Sequence, residues 1–153
     1  MIPVIAFCGP SNSGKTSFLC TLIEHLGHHQ MRVGALKHCH CRLTEDDTGK
    51  DSSKLRQAGA DPVFAVDNLN QARTLLQTAF QNHDLVIAEG FRRLQLPSIL
   101  LYRQSIPADW LSPTNLIGQI YLPPLQRPQP IKAAIQIIRQ QYPKLKLPAL
   151  DKL

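Results

Sequence analysis

Residues 9–16, GPSNSGKT, match the pattern G-x-x-x-x-G-K-[ST] at every fixed position. The two glycines allow a sharp turn and a close approach of backbone N–H groups to an anion. Lys15 can reach the β and γ phosphates of a nucleoside triphosphate, and a threonine hydroxyl is an oxygen ligand for Mg²⁺. The motif therefore predicts a phosphate-binding loop, whose binding residues are Gly9, Ser11, Asn12, Ser13, Gly14, Lys15, Thr16 and Ser17.

Two acidic residues can complete a Mg²⁺ site with Thr16. Glu89 follows the apolar run DLVIA, which places it at the carboxyl edge of a predicted sheet, where ligands bind in open α/β folds. Asp51 stands at the start of a predicted helix, where it could hold Mg²⁺ through water or simply favour the helix N-terminus. The neighbouring Lys50 could reach a phosphate or remain a solvated loop charge.

Residues 37–41 read KHCHC, and every side chain after the lysine can bind a soft metal. Neighbours in an extended segment point to opposite faces, so His38 and His40 would face one way and the two cysteines the other. This arrangement argues against one four-ligand metal site. We expect instead a polar, ligand-facing loop beside the phosphates.

Strands and helices alternate along the chain. Apolar runs predict strands over residues 3–8, 32–37, 62–66, 85–88, 98–102 and 115–121. Helical spacing predicts helices over residues 16–26, 51–58 and 69–80, and from residue 130 onward, with a loop over 38–50 and a loosely held tail over 143–153. The alternation favours a P-loop NTPase-like α/β fold, a mostly parallel sheet with helices on both faces, formed as one domain by residues 1–153.

Composition narrows the class of protein. The 153 residues are 43% hydrophobic, enough for one core, and the net charge of +6 suits an anionic ligand. The basic residues are scattered, so we expect no nucleic-acid partner. No apolar run reaches the ~18 residues of a membrane span, and no signal peptide is recognisable. We therefore expect a cytoplasmic protein, without a membrane partner, whose four cysteines are reduced thiols.

Four blocks of sequence occur in order: residues 9–16, LKHCHC at 36–41, DTGKDSSKLRQAGA at 47–60 and LVIAEGFRR at 85–93. With these blocks the chain resembles the MobB family, molybdopterin-guanine dinucleotide biosynthesis protein B. The glycine-lysine-threonine motif alone would be unspecific, whereas the K-H-x-H, G-K-D-S and E-G-F segments in this order are much more specific.

The resemblance implies a homodimeric GTP-binding accessory protein with at most weak GTPase activity, which helps MobA attach GMP to molybdopterin. It implies Lys15 and Thr16 on phosphate and Mg²⁺, with Asp51 and Glu89 in the metal and switch region. Residues near the nucleotide or the pterin would then include Lys37, His38, His40, Lys50 and Arg92.

The chain departs from the family pattern at several positions. Cys41 stands where the family tends to have histidine, Thr48 where proline is common, and Arg92 where lysine is usual. Residues 119–123, QIYLP, lack the aspartate that the family tends to use for the guanine N1 and N2 donors. Guanine would have to be recognised by another side chain or by backbone carbonyls.

Two other functions remain open. A small-molecule P-loop kinase needs an acceptor pocket and a mobile lid with basic residues, and Arg92, Arg93 and Arg103 could supply that charge, although residues 94–114 are short and proline-interrupted for a helical lid. A nucleotide-dependent metal or cofactor carrier would use the KHCHC segment. No arginine finger acting in cis and no water-orienting glutamine is readable, so we expect slow hydrolysis.

Overall fold

The computed structural model of the chain describes residues 2–39, 47–108, 112–124 and 128–150. The strands are β1 (Val4–Cys8), β2 (Val33–His38), β3 (Val63–Val66), β4 (Leu85–Glu89), β5 (Ser98–Tyr102) and β6 (Leu116–Tyr121). The helices are α1 (Lys15–His28), α2 (Asp47–Gln57), α3 (Leu69–Thr78) and α4 (Pro128–Gln141). None of the helices in these ranges has the length and apolarity to cross a membrane.

The strands form a sheet in the order β3-β2-β4-β1-β5-β6, and all neighbours are parallel. β1 lies inside the sheet between β4 and β5, with Ala6 opposite both Ala88 and Ser98. Because the strands are parallel, the loops that follow β1, β2, β4 and β5 leave from one edge. The predicted parallel sheet is confirmed, and this edge carries the phosphate-binding motif.

Helices cover both faces of the sheet, as predicted. Ile5 and Phe7 of β1 enter a core shared with α1, α2 and α4, whereas Ala6 and Cys8 pack on the face that α3 covers. This alternation follows from the two-residue period of a strand. The apolar positions of α1 all point to the first core because they recur at helical spacing: Phe18, Leu19, Leu22, Ile23 and Leu26.

Two element boundaries differ from the prediction. α2 begins at Asp47, so the last part of the predicted loop over 38–50 is helical. Buried apolar residues occur only near the end of this segment, at Leu55 and Ala58, so its first turn shows no apolar period. α4 begins at Pro128 instead of residue 130, because the first helical turn tolerates proline.

The prediction of a loose tail is wrong for residues 143–150. Leu145, Leu147 and Leu150 pack against the main core, and the carbonyl of Pro148 accepts a hydrogen bond of 2.6 Å from Arg139. The spaced leucines provide apolar contacts without forming an α-helix or a strand, so periodicity did not reveal them. Residues 151–153 lie outside the described part of the chain.

Candidate functional site

The phosphate-binding loop follows β1 and begins in close contact with β5. A Cβ atom on Gly9 would collide with the carbonyl oxygen of Leu101, so only glycine fits there. Gly14 has a left-handed φ of 83° and precedes α1 without a side chain to cap it. The first turn of α1 also carries no acidic residue. Its backbone N–H groups therefore remain available to an anion at the positive end of the helix.

Lys15 folds back over this loop. Its Nζ donates to the carbonyl oxygens of Gly9 at 3.1 Å and Pro10 at 2.7 Å. Burial lowers the pKa of Lys15, and the nearby charge of Glu89 opposes this effect only in part. Neutral carbonyls are weaker partners for an ammonium group than phosphate oxygens are, so the side chain is suited to take a phosphate instead.

Three predicted residues converge with Lys37 beside the loop. The Thr16 hydroxyl donates to Glu89 Oε1 at 2.9 Å. Nζ of Lys37 lies 2.7 Å from Asp51 Oδ2 and 3.4 Å from Glu89 Oε2. We call Thr16, Lys37, Asp51 and Glu89 the carboxylate cluster. Its members come from α1, β2, α2 and β4, so the sheet order brings together residues that are distant in sequence.

Charge pairing stabilises the carboxylate cluster. The side chains of Lys37 and Glu89 are only 14% and 9% exposed. Burial by itself would lower the pKa of Lys37, but its hydrogen bond to Asp51 and the charge of Glu89 raise that pKa overall. The hydrogen bond from Lys37 also lowers the pKa of Asp51. Lys37 and Asp51 are therefore charged together at neutral pH.

The donor set of the cluster fits Mg²⁺. Thr16, Asp51 and Glu89 offer the hydroxyl and carboxylate oxygens that Mg²⁺ prefers, and Thr16 and Glu89 already lie within hydrogen-bond distance of each other. Lys37 shows that a positive charge is stable between the two carboxylates. These residues could thus hold a metal ion adjacent to phosphates on the loop.

A large cleft of about 790 Å³ opens on the β4 side of the loop. Inside it the ring of His38 meets the ring of Phe91 edge-on, with centroids 5.1 Å apart. Arg92 and Arg93 follow Phe91 and line the same cleft as Lys15. The predicted ligand residues His38 and Arg92 therefore do lie beside the phosphate loop.

Other predicted residues are placed differently or not described. Lys37 contacts the two carboxylates of the cluster, a partnership that the sequence did not indicate. His40 lies outside the described residues, as does the side chain of Lys50. Cys8 donates its thiol to the Gly90 carbonyl at 2.9 Å, and burial raises the pKa of this thiol to about 11, so it stays protonated.

Arg103 is the residue that sequence reasoning undervalued. It follows β5, and its guanidinium lies directly on the loop, since a Cβ atom on Gly14 would be 2.8 Å from its Nη2. The sequence suggested only a lid charge for Arg103. A basic residue directly after a strand is the available signal, but it is informative only once β5 is known to be adjacent to β1.

The strand–loop–helix unit, the central position of β1 and the hydroxyl–carboxylate pair define a P-loop protein. The family model described as "MobB: Molybdopterin guanine dinucleotide synthesis protein B" matches residues 4–120. The chain belongs to this family.

Curated relatives carry the name molybdopterin-guanine dinucleotide biosynthesis adapter protein. The Haemophilus influenzae protein is 34% identical over 117 residues, which cover 69% of this chain and 66% of that protein. The Escherichia coli protein is 33% identical over 120 residues, 67% of each chain. The chain thus spans about two thirds of the length of these relatives. The structure of Bacillus subtilis MobB has the same fold, with a TM-score of 0.57 at 20% identity over 89% of this chain and 97% of that one.

Proposed function

We propose that this protein binds Mg²⁺-GTP on residues 9–17 and acts as an accessory protein in molybdopterin guanine dinucleotide biosynthesis. The accessory role rests on the names of its relatives. The binding role rests on one observation above all: an uncapped helix N-terminus carries Lys15 beside the hydroxyl–carboxylate pair of Thr16 and Glu89.

Each part of the loop has a defined task in this proposal. Backbone N–H groups at the start of α1 bind the phosphate oxygens, and Lys15 exchanges its carbonyl partners for the β and γ phosphates. Thr16 and Glu89 would hold Mg²⁺, with Asp51 in support. The metal ion, when bound, neutralises phosphate charge and fixes the orientation of the triphosphate.

Slow turnover suits an accessory role. The described residues that line the large cleft include no glutamine to orient an attacking water molecule. His38 packs against Phe91 instead of standing free as a base. We therefore expect weak GTPase activity at most.

The large cleft provides room for a second ligand. Arg92 and Arg93 on its wall would attract an anion, and a cleft of about 790 Å³ is within the size range of small-molecule sites. We propose molybdopterin as this ligand, MobA as the protein partner, a homodimer as the assembly and the cytoplasm as the location. A monomeric mass by light scattering at micromolar concentration would contradict the dimer.

A small-molecule kinase is the second candidate, because the two arginines lie in the same cleft as Lys15. Transfer of labelled γ-phosphate to a small acceptor would identify it, and its absence from a panel of acceptors would count against it. The carrier alternative stays a prediction, since His40 and Cys41 lie outside the described residues. Stoichiometric metal in untagged protein would favour it.

Calorimetric titration of the untagged protein with Mg²⁺-GTP and Mg²⁺-ATP tests the main proposal. We expect GTP to bind more tightly, and binding of both nucleotides to weaken when EDTA removes the metal. Equal affinities, or a preference for ATP, would leave the phosphate loop intact as a hypothesis but contradict the GTP-dependent role.

A further inference from the structure

A second, smaller cavity lies on the other side of the phosphate loop. It measures about 230 Å³ and lies between the start of α1 and the segment after β6. Its walls are largely apolar, and its principal charged group is Arg103. The residues that matter for the argument are Gly14, Ser17, Phe18, Arg103, Leu122 and Pro123.

The position of this cavity relative to the phosphates indicates its ligand. The large cleft contains Lys15 and Glu89, so the γ end of a triphosphate and its metal lie toward β4. The smaller cavity is lined by Gly14 and Ser17, on the β5 and β6 side of the same loop. A nucleotide bound along the loop must extend its nucleoside away from the metal. Apolar walls of this kind suit the flat faces of a base.

Arg103 determines which base fits. Its guanidinium carries only hydrogen-bond donors, and it lies at the mouth of the cavity against Gly14. Guanine presents two acceptors, O6 and N7, along one edge, and an arginine binds both at once. Adenine presents a donor amino group in place of O6, which opposes a guanidinium.

The described residues that line this cavity include no carboxylate. Residues 119–123, which lead into the cavity through Leu122 and Pro123, also contain no aspartate or glutamate. On the basis of the proposed nucleotide binding, we propose that Arg103 recognises guanine through O6 and N7 and that the 2-amino group is not recognised. The site then discriminates against adenine but binds hypoxanthine, which keeps O6 and N7.

Titration of the full chain with Mg²⁺ complexes of GTP, ITP, ATP and 7-deaza-GTP tests this assignment, with Mg²⁺-tripolyphosphate as the probe without a base. GTP and ITP should bind within about threefold of each other, because the described lining of the cavity offers no carboxylate to the 2-amino group. ATP should bind about tenfold more weakly or worse, the scale of one bidentate contact. The 7-deaza analogue should lie between them, since it keeps only one acceptor.

Variants at position 103 separate base recognition from simple charge. Arg103→Ala should weaken GTP about tenfold, bring GTP and ATP to similar affinities and leave tripolyphosphate unchanged. Arg103→Lys keeps the charge but loses the planar pair of donors, so it should also lose selectivity. Arg73→Ala is the matched control, since this exposed arginine lies on α3, which covers the other face of the sheet.

The outcomes distinguish this inference from the proposed function. If neither a triphosphate nor tripolyphosphate binds the parent protein, the proposed function fails and the inference fails with it. If Arg103→Ala weakens tripolyphosphate as much as GTP, Arg103 acts on phosphates and only the inference is overturned. A preference of GTP over ITP beyond about tenfold would also overturn it, because a group that recognises the 2-amino position would then be present.

Discussion

The two sides of β1 differ in the number of charged groups that they contain and in how those charges are paired. On the β4 side, Lys37 and two carboxylates compensate one another within a network that also holds Thr16. On the β5 side, Arg103 stands at the mouth of an otherwise mainly apolar cavity. Phosphate and metal require many charges, which need partners when buried. A base can be bound by shape and a few directed donors.

The same contrast appears between two partly exposed lysines, Lys15 and Lys37, at this edge of the sheet. Lys37 has anionic partners, and its pKa is raised, whereas Lys15 has carbonyl partners, and its pKa is lowered. The charge of Lys37 is therefore compensated within the protein, and this pairing stabilises the fold. The charged form of Lys15 would be stabilised when an anion binds beside it.

The largest expected effect concerns Lys15. Replacing it with alanine should weaken Mg²⁺-GTP about 100-fold or more, because the phosphates lose charge-assisted hydrogen bonds. The melting temperature should not fall, since the hydrogen bonds that Lys15 makes to described residues go to two carbonyls and a serine of its own loop. Calorimetry and circular dichroism measure the two quantities, with Lys144→Ala as an exposed-lysine control. A variant that binds like the parent would refute the phosphate site.

Lys37→Met should show the opposite behaviour, a loss of stability. The variant leaves the Glu89 side chain, which is 9% exposed, without its cation, at a cost of roughly 3 kcal/mol in the free energy of unfolding. Urea denaturation measures this cost. The double variant Lys37→Met with Glu89→Gln should recover part of it, because no charge then remains uncompensated at position 89. Additive losses in the double variant would argue against the pairing.

Glu89→Gln should alter the metal dependence of binding. The amide keeps the shape of the side chain but removes the charge that attracts Mg²⁺. We expect GTP affinity with Mg²⁺ to fall about tenfold toward its value in EDTA, while the affinity in EDTA stays near that of the parent. If Mg²⁺ strengthens binding as much in the variant as in the parent, Glu89 is not a metal ligand.

The smallest expected effect is a proton uptake. The folded-state pKa of Lys15 is lowered, so part of this group loses its proton as the pH rises toward that value. Phosphate binding favours the ammonium form, so binding should take up a fraction of a proton at alkaline pH. Lys37 contributes none, because its raised pKa keeps it protonated in both states.

Titration of Mg²⁺-tripolyphosphate in two buffers of different ionisation enthalpy measures this uptake between about pH 8 and pH 10, near the reference pKa of lysine. The probe has no nucleobase, so no nucleobase titrates in this range. Lys15→Arg should abolish the uptake, since arginine stays charged throughout. Uptake that persists in that variant would assign the proton to another group.

The sequence predicted one side of the site better than the other. The motif over residues 9–16 and the position of Glu89 after an apolar run were sufficient to place Lys15, Thr16 and Glu89 at one sheet edge. The position of Arg103 beside the phosphate loop was not predicted, because it depends on which strand lies next to β1. Strand order is set by packing across the whole domain. The Lys37–Asp51 contact depends likewise on how α2 docks.

Local composition explains the remaining differences. The start of α2 is polar, so apolar spacing could not reveal its first turn. The buried apolar residues that stabilise this helix, Leu55 and Ala58, lie at its C-terminal end. The segment after α4 has apolar contacts but no period, so it was mistaken for a free tail. Periodicity detects faces of regular elements and misses irregular chain that nevertheless packs.

Tyr142 links the end of the last helix to the first strand. Its hydroxyl accepts from the Val4 N–H at 3.3 Å and donates to the Val4 carbonyl at 2.9 Å. β1 is five residues long, so only about 17 Å of extended chain separates this clasp from the phosphate loop. The clasp acts as a distant anchor: once it is released, β1 can fray from its far end, and amide hydrogen exchange would speed up along the strand that ends directly before Gly9.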